Sequence, residues 1–282
     1  MKNPMERILV PLDGSPLADA AVEAIGPLLR IHQPEVLLLG VMDKMEYDYS
    51  LRAHLEVVRD DLQANGIDAS MSIREGDAAE NILEVARKRA ADLIAMSTHG
   101  RGGMARAFLG SVTEEVLRHS ETPLLVCRAG VKARGWKRVV VALDGSEQAE
   151  EILSDAVHIV QAEKAELDVV RVAVPVVSSS GMGEAPVIVH AEDPLPYLKR
   201  ISGQLLAQGV EAQTVALEGR AAPEILRYAK ESDAGLLCVT THGRSGVSRV
   251  LLGSIAEELL RHAPCPVLIR RMVESPKPAG MP

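Results

Sequence analysis

The stretch THGRGGMARAFLGS, Thr98 to Ser111, occurs a second time as THGRSGVSRVLLGS, Thr241 to Ser254. Each copy sits between an apolar run and a helix-like run, the setting in which a glycine-rich loop delivers a helix N-terminus to an anion. Gly100 and Gly110 lack a Cβ, so a ligand can approach the backbone closely and positive φ is accessible, and Ser111 is expected to cap the helix that follows. The same holds for Gly243, Gly253 and Ser254. The duplication divides the 282 residues into two units, each large enough to bury a core of its own.

Outward from the loops, strand and helix signals alternate. ERILVPLD, Glu6 to Asp13, reads as a buried strand ended by Asp-Gly-Ser-Pro, with Ser15 capping and Pro16 opening a helix that carries Ala18, Ala21, Val22, Ile25, Leu28 and Leu29 at helical spacing. EVLLLGV, Glu35 to Val41, is uniformly apolar, as a strand covered on both faces must be. A helix over Leu51 to Ala64 stops at Asn65-Gly66, and IDASMSIRE gives the third strand. A helix over Ala79 to Arg89, the strand DLIAMS, the loop, a helix from Ser111 to about His119 and the strand LLVCR complete the unit. Such alternation specifies a mostly parallel, doubly wound α/β sheet.

RVVVALDGS, Arg138 to Ser146, repeats RILVPLDGS, Arg7 to Ser15, at an offset of 131, whereas the two THGR segments are offset by 143. Twelve extra residues, 143 minus 131, therefore enter the second unit between its second strand and second helix, within Val174 to Val189. Loops at this end of a parallel sheet carry ligands, so the two sites are expected to differ here. The expected boundaries are 1–130 and 137–271, with a linker over 131–136 and a disordered tail over 272–282.

Composition narrows the function. A net charge of −8, mildly acidic in both halves, argues against a nucleic-acid surface, which needs clustered Lys and Arg. Aromatic residues are only 2%, so the core must be aliphatic. No segment has the unbroken apolar length of a membrane span and no signal-like apolar core opens the chain, so a cytoplasmic protein is expected. Cys127, Cys238 and Cys265 are scattered through apolar segments, which suits buried thiols rather than a metal site or disulfides. The loop is no Walker A motif, because no Gly-Lys-Ser/Thr follows.

The order of elements, the Asp-Gly-Ser after the first strand, and Gly100 followed by Gly110-Ser111, all present twice, make the chain resemble the universal stress protein family in its tandem form, from Glu6 to Arg270. The resemblance implies two five-stranded parallel sheets of order 3-2-1-4-5 flanked by helices, two domains forming an intramolecular pseudo-dimer through their last strands, and ATP binding in many members. It implies that Gly100, Gly110, Ser111 and Val112 hold phosphates in the first unit, and Gly243, Gly253, Ser254 and Ile255 in the second. Asp13 and Asp144 match the aspartate beside adenosine or a bound Mg²⁺, and Val41 and Val172 match the residue at the adenine edge, with Pro11 and Ala142 close by. The first glycine of the family motif is Ser97 here and Thr240 in the second copy, where a hydroxyl adjoins the ribose.

His99 and His242 stand beside the loops, but no carboxylate or nucleophile stands at fixed spacing to make either a general base, and they are expected to pack or hydrogen-bond in the loop. Arg101, Arg106, Arg244 and Arg249 are expected to be solvated. The leading expectation is a nucleotide-binding stress or regulatory protein. A slow Mg²⁺-dependent ATPase or phosphotransferase using Asp13 or Asp144, and a non-catalytic dimerisation module with vestigial loops, stay open as alternatives, as does a homodimer.

Overall fold

A computed structural model describes residues 5–42, 49–98, 109–128, 130–131, 135–178, 187–190, 193–241 and 252–271. The disordered tail expected over 272–282 lies outside them. In the first half β1 (Arg7–Pro11) leads to α1 (Ala20–Ala24) and α2 (Gly26–His32), then β2 (Glu35–Met42), α3 (Tyr49–Ala64), β3 (Ala69–Glu75), α4 (Ala78–Lys88), β4 (Leu93–Ser97), α5 (Ser111–His119) and β5 (Leu124–Cys127). In the second, β6 (Arg138–Ala142) is followed by a 3₁₀ turn (Gln148–Glu151) and α6 (Ile152–Glu163), β7 (Glu166–Ala173), β8 (Pro175–Ser178), β9 (Val187–His190), α7 (Leu195–Ala207), β10 (Ala212–Glu218), α8 (Ala221–Glu231), β11 (Leu236–Thr240), α9 (Ser254–His262) and β12 (Val267–Arg270).

Ten strands form one sheet in the order β10-β7-β6-β11-β12-β5-β4-β1-β2-β3. Each half is the parallel 3-2-1-4-5 arrangement, and the halves meet where β5 and β12 pair antiparallel, Val126 opposite Val267, Leu125 opposite Leu268 and Leu124 opposite Ile269. Successive strand residues feed opposite faces: Ile8 and Val10 belong to the apolar layer that includes α1, α2, α3, α6 and α7, while Leu9 belongs to the layer that includes α4, α5, α8 and α9. Both core layers contain residues of both halves, and Trp136, from the stretch expected as linker, is buried among them.

Two local departures from the sequence expectation have physical causes. The helix after β1 is broken, α1 ending at Ala24 and α2 restarting at Gly26-Pro27, because Pro27 has no N–H to continue the ladder. The segment holding the twelve-residue insertion contains an antiparallel hairpin, β8 with β9, which is separate from the main sheet.

All three cysteines are free and buried. Burial pushes their thiols up, that of Cys265 to about 12, so none is a thiolate near neutrality.

Where α2 packs on its equivalent α6, His32 and His158 stack with ring centroids 5.2 Å apart. Burial lowers both imidazoles below 6.5; the His32 charge lowers His158 further, and Asp155 partly opposes this. On the same helix the Glu163 carboxyl is raised by burial, with Arg30 acting against the shift. The folded protein therefore takes up protons at these histidines less readily than the unfolded chain, and their contribution to stability is present above the ordinary imidazole range and is lost as pH falls through it. Thermal unfolding followed by circular dichroism should show a midpoint that drops between about pH 7.5 and 5.5, and the drop should be shallower in His158→Phe. Equal slopes in the two proteins would show that the stack does not titrate.

Candidate functional site

The strand order reverses between β1 and β4, with β2 and β3 on one side and β5 on the other. The loops leaving the carboxyl ends of these two neighbours must diverge, and the crevice between them is where parallel sheets bind ligands. β6 and β11 repeat the arrangement.

The loop after β1 turns at Asp13, whose Oδ1 accepts from the Ser15 amide at 2.9 Å and the Ser15 hydroxyl at 2.6 Å. Ser15 Oγ in turn accepts from the Ala18 amide at 3.3 Å, the expected capping contact, although regular helix begins only at Ala20. In the second half Asp144 Oδ1 accepts from Ser146 N and Oγ at 3.0 and 2.7 Å, and Ser146 Oγ accepts from Ala149 N at 3.2 Å. One oxygen of Asp144 thus serves its turn. Its other oxygen, Oδ2, is buried and has no hydrogen-bond partner among the described residues.

The facing wall is the start of α5. Gly110 donates its N–H to the carbonyl of Thr98 at 2.8 Å, and the helical ladder opens with Glu114 N to Gly110 O at 2.9 Å. The amides of Ser111, Val112 and Thr113 thus stand outside the ladder at the positive end of the helix. At α9, Gly253 N bonds Thr241 O at 3.0 Å and Glu257 N bonds Gly253 O at 2.9 Å, leaving Ser254, Ile255 and Ala256 in the equivalent place.

Two expectations are corrected here. Ser111 and Ser254 are not caps: the N-cap residues are Gly110 and Gly253, which make no side-chain bond, and each serine is the first residue of its helix, exposed. Nor does Gly110 use positive φ, since its φ is −60°. Glycine is needed there for space, because a Cβ would lie 2.8 Å from the Thr98 carbonyl oxygen.

Of the other expected residues, Pro11 and Ala142 end β1 and β6 beside the aspartate turns. Val41 and Val172, half-buried, lie near the ends of β2 and β7, one strand further from the crevice, in register with Arg74 and Leu217. Ser97 and Thr240 end β4 and β11, Ser97 buried and Thr240 half-buried. Asp13, Ser97, Gly110, Ser111 and Val112 thus come from the loop and strand ends flanking the β1–β4 boundary. His99, Gly100, His242, Gly243 and the four loop arginines lie outside the described residues.

The sequence reading passed over two contributors. One is the carbonyl pair of Thr98 and Thr241, a backbone role that no side chain advertises. The other is Thr113, buried, whose hydroxyl donates to the Ser97 carbonyl at 2.9 Å. A threonine in the first turn of a helix, close to a strand end, was the available signal.

The fold defines a duplicated, doubly wound α/β protein with a switch point in each half. The family model described as the universal stress protein family matches residues 5–128 and again 135–271. The chain belongs to the universal stress protein family. Universal stress protein YxiE of Bacillus subtilis is 33% identical over 147 residues, 48% of this chain and 99% of that one. A universal stress protein of Mycolicibacterium smegmatis is 24% identical over 291 residues, 94% of this chain and 96% of that one. The crystal structure of a universal stress protein from Archaeoglobus fulgidus superposes with a TM-score of 0.74 at 23% identity, covering 97% of this chain and 100% of that one. No helix among the described residues is long and apolar enough to cross a membrane.

Gly110→Ala should force Thr98 and the start of α5 apart and cost about 1–3 kcal/mol, the usual range for overpacking. Urea unfolding checks this, with Gly66→Ala as a comparison in which a Cβ meets nothing within 4 Å and only the positive φ is at issue. A Gly110→Ala protein as stable as the parent would refute the close-approach explanation.

Proposed function

We propose that the protein is a cytoplasmic regulator of a stress response that binds one adenine nucleotide, ATP with or without Mg²⁺, in each half. The two nucleotide-binding units are residues 1–130 and 137–271. The observation that carries it is Asp144 Oδ2, a carboxylate oxygen buried without a partner among the described residues, two residues past the end of β6. A buried acceptor left bare is costly, and a ribose hydroxyl or a hydrated cation would satisfy it. The helix ends supply what the triphosphate needs, amides outside the ladder and a positive dipole end, independently of the net charge of −8.

In this reading Gly100, Gly110, Ser111 and Val112, and in the second half Gly243, Gly253, Ser254 and Ile255, hold the phosphates. Asp13 and Asp144 meet the ribose or the cation, Ser97 and Thr240 adjoin the sugar, and Pro11 with Val41, and Ala142 with Val172, border the base. His99 and His242 hydrogen-bond within the loops. A Mg²⁺ bound with ATP would neutralise phosphate charge, which the carboxylates alone would repel. The two sites are unequal, because the segment that follows Val172 carries the β8–β9 hairpin and that following Val41 is twelve residues shorter.

Mass spectrometry of nucleotide released on denaturing the gently purified protein, followed by calorimetric titration with ATP, tests the proposal. Two resolved binding steps are expected. No co-purified nucleotide together with no heat of ATP binding would defeat it. Phosphate release measured on the same material, with and without Mg²⁺, separates a binding protein from a slow ATPase.

A further inference from the structure

We infer that Thr113 is a positioning residue that makes the first crevice the better organised phosphate site. The inference rests on the nucleotide reading above and gives its inequality a direction. The carbonyls of two consecutive residues at the end of β4 are both tied to the first turn of α5. The Gly110 amide donates to Thr98 O at 2.8 Å, and the Thr113 hydroxyl donates to Ser97 O at 2.9 Å. Thr113 is 3% exposed, so water does not compete for its hydroxyl, and a Cβ placed on Gly110 would reach its Oγ1 at 3.9 Å. The two bonds flank the amides of Ser111 and Val112 and fix them against the strand end.

In the second half the chain offers the first bond and not the second. Gly253 N bonds Thr241 O at 3.0 Å, but the residue at the offset of 143 from Thr113 is Ala256, equally buried, whose methyl donates nothing. The start of α9 is held to its strand by one of the two contacts that hold α5. Amides already fixed where a phosphate will sit lose less freedom on binding, so the first crevice takes the phosphates with less ordering cost. The effect belongs to the phosphate end and is absent for a ligand that lacks phosphates.

The test is a set of three variants, Thr113→Val, Thr113→Ser and Ala256→Thr, titrated calorimetrically with ATP, ADP and adenosine. Loss of one net hydrogen bond should weaken ATP and ADP at one of the two steps by about fivefold in Thr113→Val. Adenosine should be unaffected, Thr113→Ser should restore the affinity, and Ala256→Thr should tighten the other step. Unchanged ATP affinity in Thr113→Val, or an equal loss for ATP and adenosine, would overturn the inference, the second by showing a structural role only. Amide hydrogen exchange of the ligand-free proteins is the independent arm. Exchange over 111–114 should quicken in Thr113→Val and exchange over 254–257 should slow in Ala256→Thr. If the parent protein binds no ATP, the nucleotide reading falls on its own, and altered exchange still supports the tether while unaltered exchange refutes it.

Discussion

The antiparallel pairing of β5 with β12 is the contact on which the rest of the molecule depends. A parallel five-stranded sheet ends in an edge whose backbone donors and acceptors must be covered. Here LLVC and VLIR, almost entirely apolar and buried, cover each other. Because the strands meet, the helices above them meet as well, and the apolar layers on both faces run through the seam without a break. A polar tie adds to it: Arg128, just past β5, donates from its guanidinium to the carbonyl of Arg261 at 3.2 Å, at the carboxyl end of α9, where a positive charge opposes the helix dipole favourably.

The halves share a backbone plan and have diverged in what fills it. Gly40 lets α3 close on β2, since a Cβ there would lie 3.1 Å from the Leu51 side chain. The matching position in β7 is Arg171, nearly buried, with its guanidinium 4.7 Å from the centre of the Tyr197 ring. Arg200 approaches the same ring at 5.0 Å and pairs with Glu150 at 2.6 Å. In the first half the residue matching Tyr197 is His54, which contacts Asp19, the match of Glu150, at 2.8 Å. Both halves tie this helix, α3 or α7, to the segment after their first strand through the matched carboxylates Asp19 and Glu150, and the second half adds cation–π contacts at Tyr197. Burial, followed by the nearby Glu150 carboxylate, raises the Tyr197 phenol and keeps it neutral.

Much of this fold was legible because the strands are simple. Runs such as EVLLLGV and RVVVA have no polar face to hide, and α5 and its boundaries follow from Ser111 and Pro123. The duplication supplied the rest, since two copies of Asp-Gly-Ser and Gly-Ser fix the register of one half against the other. What escaped depends on distances between segments far apart in sequence. Gly110 announces itself as a glycine, but whether it serves φ or proximity is decided by Thr98, twelve positions back. The bare oxygen of Asp144 is a property of burial and not of residue type. The β8–β9 hairpin was hidden because VPVV and PVIV carry prolines and lack the polar alternation that marks an exposed strand.

The seam has a further geometric consequence. Within the ten-stranded sheet all strands of one half run the same way, and the two halves run in opposite directions across β5 and β12. The crevice at the carboxyl ends of β1 and β4 therefore opens on one rim of the sheet, and that of β6 and β11 on the opposite rim. No single compact ligand can span both. Anything that touches both strand-end crevices at once must therefore reach around the edge of the sheet.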